Sequence, residues 1–109
     1  MDRNGISRGN YAVIFTYDKS AELEGYQEMD ELTLKLAMET EGYIGHEYKG
    51  DGKGGIFISY WKDEAAIDRW RKNSIHQQAK AKGKSTWYDW YHSMICKIER
   101  TSFKPSENG

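Results

Sequence analysis

Two strand-forming stretches of this 109-residue chain are apolar on both faces, and that restricts its fold more than any other feature. "YAVIFTYD", Tyr11 to Asp18, is β-branched and aromatic, with a Gly/Asn-rich lead before it and a Lys-Ser break after it, which reads as a strand. Alternation places Tyr11, Val13, Phe15 and Tyr17 on one face and Ala12, Ile14 and Thr16 on the other. In the later run Ile56, Ile58 and Tyr60 alternate with Phe57, Ser59 and Trp61, so again neither face is polar. Such strands are expected to be covered on both sides.

The intervening segments supply one cover. Ser20 is placed to cap a helix that ends at Gly42, with Tyr26, Met29, Leu32, Thr33, Leu36, Ala37 and Thr40 at three- and four-residue steps. Gly25 within it costs about 1 kcal/mol relative to Ala, so the first turn is open to irregularity. "GYIGHEYKGDGKGGIFISYW" reads as a hairpin turning at Asp51-Gly52-Lys53-Gly54-Gly55. Asp63 starts a second helix that buries Ala66, Ile67 and Trp70; after a break near Asn73-Ser74, "SIHQQAKAKGK" is helical up to Gly83. "STWYDWY" reads as one more turn, and "YHSMICKIERTSF" as the closing strand.

The order β-α-β-β-α-β predicts an α+β, ferredoxin-like fold: a four-stranded antiparallel sheet with its helices on one face. Residues 11–103 form the domain, 1–10 a flexible lead and 104–109 a disordered tail. Two helices cover one face only, and a bare aromatic sheet face exceeds what soluble monomers usually expose. The expected remedy is a homodimer that packs the two open faces together. The alternative is a monomer whose open face lines a ligand site.

A chain of this length forms one domain. Apolar residues are 38% of it but aromatic residues 14%, so rings carry much of its core or interface. Basic and acidic residues number 16 and 17, and a formal charge of −1 gives no reason to expect nucleic acid or an anionic membrane as partner. Cys96, the single cysteine, excludes an intrachain disulfide and argues against a thiolate metal site. The polar start "MDRNGISRGN" lacks the apolar core of a signal peptide, and no apolar run is long enough to span a membrane. The expected compartment is cytoplasmic.

Chemistry-bearing residues concentrate in "WRKNSIHQQAKAKGKSTWYDWY", Trp70 to Tyr91. Its "GKST" is not a phosphate loop, because Gln78 stands where the first glycine is required and no strand precedes it. His46, His76 and His92 have no metal-ligand spacing, so no metal site is expected. His46 and His92 read as packed or surface strand residues. His76, six residues after Trp70, is either a fold-stabilising hydrogen-bonding group or a general base in a partly desolvated setting. Lys72, Lys80, Lys82 and Lys84, with Arg69 and Arg71, read either as a solvated helix face or as attraction for an anionic ligand. The Trp and Tyr residues of the stretch suit a core, a dimer seam or the wall of a pocket for a flat ligand.

From "GYIGHEY" through "DGKGGIFISYWKDEAAIDRWRKNSIHQQAKAKGKSTWYDWYHSMICKIER" the chain resembles the antibiotic biosynthesis monooxygenase domain family of dimeric α/β barrels, in particular its small uncharacterised bacterial branch. The resemblance spans about Tyr11 to Phe103. It rests on Gly42-Tyr43, Ile58-Ser59-Tyr60-Trp61, Trp70, His76, Gly83, Trp87-Tyr88, Tyr91 and Glu99-Arg100. It implies a homodimer, and either cofactor-independent oxygenation of an aromatic molecule or haem degradation. Trp70 falls at the pocket tryptophan of the polyketide oxygenases and His76 at a pocket tyrosine; Ala66 and Trp90 replace a pocket asparagine and arginine. In the haem-degrading branch the iron-ligating histidine falls at Lys80, which leaves His76 as the alternative ligand. The expected function is a cofactor-independent monooxygenase acting with dioxygen on a small aromatic or quinol-like substrate. His76 would be base or proton relay, Trp70, Trp87 and Tyr91 would position the ring, and Tyr60 would offer a hydroxyl. The alternative is a non-catalytic dimer that binds a small hydrophobic ligand.

Overall fold

Strand and helix periods of this kind sort the chain into β1 (Tyr11–Lys19), α1 (Tyr26–Glu39), β2 (Tyr43–Gly50), β3 (Gly54–Trp61), α2 (Glu64–Arg71), α3 (Ser74–Lys82) and β4 (Tyr88–Lys97). The structure is a computed structural model that describes residue 1 and residues 3–105, without the side chain of Ser74. Residues 106–109, most of the expected tail, lie outside the described residues. The sheet order is β2-β3-β1-β4 with every neighbouring pair antiparallel, and α1, α2 and α3 lie on one face: an α+β, ferredoxin-like fold.

Two boundaries differ from the reading of the sequence. Helix α1 starts at Tyr26 because Gly25 adopts the left-handed conformation, φ 79°. Ser20 instead makes a local turn, its Oγ accepting from the Glu22 N–H and donating to the Thr86 carbonyl. The "STWYDWY" segment is not a further helical turn. Gly83–Trp87 forms a single π-turn, and the chain is already strand at Tyr88, where β1 offers Lys19 as a partner. The N-terminal segment, expected to be flexible, has defined contacts: Arg3 pairs with Glu47, and the Gly9 N–H donates to the Ile98 carbonyl.

Two caps set where α2 and α3 begin, and the second makes the break between them. Asp63 accepts from the Ala66 N–H at 2.9 Å, and Asn73 accepts from the Ile75 N–H at 2.9 Å and the His76 N–H at 3.3 Å. The core is Trp61, Ala37, Ala66 and Ile67, flanked by Tyr11, Val13, Tyr43 and Trp70. Trp61 is fully buried, and its indole N–H donates to Ser59 Oγ at 2.9 Å. Gly42, at φ 95°, brings the chain from α1 into β2 against α2; a Cβ there would stand 2.4 Å from that of Ala66.

The other sheet face carries none of the three helices. Register puts Ile14, Ile56, Ile58, Tyr60 and Met94 on it, and Ile56 and Met94 are 47% and 36% exposed. Among the described residues no helix is long and apolar enough to cross a membrane.

Candidate functional site

Between the sheet and its helices lies a cavity of about 1000 Å³. Two strand irregularities decide what faces it. Strict alternation would put Tyr43 and His46 on opposite faces. An extra residue, Ile44, enters β2 between Tyr43↔Trp61 and Gly45↔Tyr60, so Tyr43, His46 and Tyr48 all point to the helix side. A second irregularity lies between Asp18↔Trp90 and Lys19↔Tyr88. It brings both Tyr88 and Tyr91 into the same wall. Phe15, Tyr17 and Phe57 form the floor between them.

One end of the cavity is an aromatic ladder. Tyr43 meets Trp61 edge-on with ring centroids 5.6 Å apart, Trp61 stacks on Trp70 at 5.0 Å, and Trp70 meets His76 at 4.2 Å. Trp70 is the last large apolar side chain of α2, and His76 lies in the first turn of α3, so the Asn73 cap that bends the chain also folds the two rings together. Both side chains line the cavity, and Trp70 Nε1 and His76 Nδ1 are buried without a hydrogen-bond partner. Buried polar atoms are nearly always paired, so two adjacent orphans on a cavity wall are informative. Desolvation, with Lys80 and Arg71 nearby, lowers the His76 pKa to about 4. The imidazole is therefore neutral at physiological pH. His46, stacked on Phe57, has its Nδ1 engaged by the Tyr43 hydroxyl at 2.5 Å.

The other end is a cluster of phenols. Tyr17, Tyr26 and Tyr88 pack with centroids 5.2 to 6.0 Å apart, and Tyr91 joins through Phe15 and Tyr88. Burial pushes the hydroxyl of Tyr88 up to about 12, and those of Tyr17 and Tyr26 higher still. They can donate hydrogen bonds but cannot take up a proton. Asp30 lies at this end; desolvation raises its pKa, and Lys19 opposes the rise.

Of the residues singled out from the sequence, the structure brings Trp70, His76 and Tyr91 to one cavity. Tyr60 is not there: β3 alternation turns it to the open face, where its hydroxyl donates to Glu47 Oε2 at 2.7 Å. Trp87 stands behind the wall, buried, its indole N–H donating to the Glu24 carbonyl at 3.0 Å and its ring edge-on to Tyr26. Tyr43, His46, Tyr17, Tyr26 and Tyr88 join the wall without having been marked as site residues by the sequence. Among the described residues no cluster of three His, Cys, Asp or Glu side chains could hold a metal ion.

The fold has counterparts among known proteins, although no family model matches the sequence. The cofactor-independent oxygenase SnoaB of Streptomyces nogalater superposes with a TM-score of 0.71 over 85% of this chain and 96% of its own, at 9% identity. Rv0793 of Mycobacterium tuberculosis does so with a TM-score of 0.71 over 85% and 99%, at 10% identity. In sequence, the uncharacterized protein YqjZ of Bacillus subtilis is 42% identical over 91 residues, 83% of this chain and 80% of its own. The jasmonate monooxygenase ABM of Pyricularia oryzae is 26% identical over 92 residues, 81% of this chain and 43% of its own. The chain belongs to one family with YqjZ, and its fold is that of the antibiotic biosynthesis monooxygenase domain. It spans less than half the length of the Pyricularia protein, and at these identities the solved structures speak for the fold. Within the domain, the ladder from Tyr43 to His76 and the phenol cluster are features of this chain's own side chains.

Proposed function

We propose that this protein is a cofactor-independent monooxygenase that oxidises a small aromatic, quinol-like molecule with dioxygen, with His76 as base or proton relay. The observation that carries this reading is the pair of unpartnered buried atoms, Trp70 Nε1 and His76 Nδ1, side by side on the wall of an aromatic cavity. One is a fixed donor. The other is a neutral imidazole nitrogen able to accept a proton or a hydrogen bond.

A substrate such as an anthrone has an acidic CH₂ beside a carbonyl. Loss of one proton to His76 leaves an electron-rich enolate that reduces dioxygen. The carbon–oxygen bond then forms as a hydroperoxide, and elimination of water, with loss of the second carbon-bound proton, leaves a new carbonyl. CH₂ and O₂ become C=O and H₂O, and the four electrons come from the substrate carbon, so the balance needs no other reductant. The protein contributes a base and a donor for developing negative charge on the wall of an aromatic cavity. Trp70 and Tyr91 contact the ring, and Trp87 supports the wall from behind.

Haem fits less well. Lys80 stands where the haem-degrading branch has its iron ligand, and it lines the cavity as a cation beside His76, which opposes coordination of iron there. The low basicity of His76 does favour a second reading, a binding protein that uses the same cavity without turnover. Oxygen uptake with a reduced anthrone and no added cofactor, in the parent and in His76→Ala, separates the two. An oxygenase loses turnover in the variant while ligand affinity stays within a few-fold; equal turnover rules out the role of His76, and none in either protein leaves the binding reading. The exposed apolar sheet face supports assembly as a homodimer through that face.

A further inference from the structure

We propose that His46 is a further ligand-contacting residue of this site: its Nε2–H donates to the carbonyl or enolate oxygen of the substrate, and Tyr43 is the positioning residue that keeps the proton on that nitrogen. This rests on the reading of the cavity as the ligand site. The bulge in β2 is the first observation behind it. Strict alternation would put His46 on the face opposite Tyr43, and the extra residue Ile44 is what turns it into the cavity. Bulges beside sites re-aim single side chains in this way. Tyr60, the residue expected from the sequence to offer a donor from the sheet, faces the other way and donates to Glu47. The bulge supplies His46 in its place.

The second observation is the bond from Tyr43. Burial pushes the Tyr43 hydroxyl up, so it keeps its single proton. Among the described residues the acceptor that hydroxyl meets is His46 Nδ1, at 2.5 Å. An imidazole nitrogen that accepts a hydrogen bond carries no proton, so the neutral ring holds its proton on Nε2.

The third is what surrounds the ring. It lies nearly parallel to Phe57 of the cavity floor, with centroids 5.5 Å apart at 19°, so packing and the Tyr43 bond together fix its orientation. Nε2 has no hydrogen-bond partner among the described residues, yet it is not sealed in protein as Trp70 Nε1 and His76 Nδ1 are. With Nδ1 taken, Nε2 is the ring nitrogen left open to the cavity that His46 lines. Tyr43 is also the first ring of the ladder that runs through Trp61 and Trp70 to His76, so His46 stands at the end of the cavity that holds the base.

The chemistry suits such a group. When His76 takes a proton from the substrate carbon, negative charge develops on the neighbouring oxygen. A neutral imidazole N–H is too weak an acid to surrender its proton there, but it donates a hydrogen bond and stabilises that charge. Trp70 on α2 and His46 on β2 then give the helix wall and the strand wall one fixed N–H each.

The test uses the nitrogen-labelled full chain with fluorenone and fluorene, which share their rings and differ in the carbonyl oxygen. In mildly alkaline buffer the His46 ring nitrogens of the parent should show the proton on Nε2. Tyr43→Phe, which frees Nδ1, should give a mixture of both tautomers, a change that a purely structural role for Tyr43 would not produce. Fluorenone should move the His46 Nε2 resonance and fluorene should not. His46→Phe should weaken fluorenone about fivefold without weakening fluorene. A parent ring protonated on Nδ1, or a fluorenone affinity unchanged in His46→Phe, overturns the proposal and leaves the cavity reading intact. Binding of neither compound, with the His76 resonances unmoved, overturns both. Oxygen uptake decides the monooxygenase reading separately: a parent inactive on a reduced anthrone that still makes the fluorenone bond keeps His46 as the donor of a binding protein.

Discussion

His76 should titrate at about 4 in the folded protein, and that displacement should be measurable in the stability of the fold. In the unfolded chain a histidine binds its proton near 6.5. Between about 4 and 6.5 the unfolded state therefore holds more protons at this position than the native state does, so stability rises with pH through the window and falls on acidification. Above it both states are neutral and the contribution vanishes. From pH 7 to pH 4.5 this one half-buried ring should cost the native state about 2 kcal/mol. That is a large share of the roughly 5–15 kcal/mol that holds a domain folded. Urea unfolding of the parent and of His76→Gln at both pH values isolates the effect, because the two proteins differ at this one side chain. The parent should lose about 2 kcal/mol more than the variant, seen as a urea midpoint lowered by about 1 M relative to it. Equal losses, or an imidazole resonance that titrates near 6.5, would refute the desolvated placement of His76 against Trp70.

Gly42→Ala should destabilise the fold by about 3 kcal/mol or more, since it combines left-handed backbone strain with a 2.4 Å approach to Ala66, and thermal melts will show it. Trp70→Phe removes a buried donor that has no partner, which offsets the poorer packing of the smaller ring, so stability should stay within about 1 kcal/mol in the same melts. Ile56→Asp with Met94→Asp places charges on the helix-free sheet face and should convert a dimer to monomers in sedimentation without moving the His76 resonances. A parent that sediments as a monomer would remove the homodimer from the proposal.

The order of elements and the one-sided sheet were legible because they rest on periods of two and of about 3.6 within single segments. Asp63 and Asn73 also announced where α2 and α3 begin. What the strand pattern could not show is where alternation breaks. A bulge is a property of two paired strands, so the extra residue Ile44 is visible only once β2 is laid against β3. That single residue hid the cavity positions of Tyr43 and His46. The same cause hid Tyr88, which reads as helical by continuity with α3 until β1 offers it a partner. Parity groups Tyr60 with Ile56 and Ile58, but only the packing of the helices shows that theirs is the open face.

The wall leaves few destinations for a proton drawn from a ligand. Lysine and arginine already hold theirs, and the buried phenols keep theirs at any physiological pH. His46 Nδ1 is occupied by the Tyr43 hydroxyl. Three candidates remain among the described residues: His76 and Asp30, at opposite ends of the cavity, and His92, which lines it from the edge strand β4 and is exposed. Desolvation raises the basicity of Asp30 and Lys19 opposes the rise, whereas His76 stands against Trp70 with its Nδ1 unpartnered. His76→Gln should therefore reduce oxygen uptake by about 10² or more, and Asp30→Asn by less than about tenfold. In the parent, the pH dependence of kcat should show a group that titrates at about 4. If Asp30→Asn is the inactive variant, the ligand lies the other way round and the reacting carbon faces the phenols.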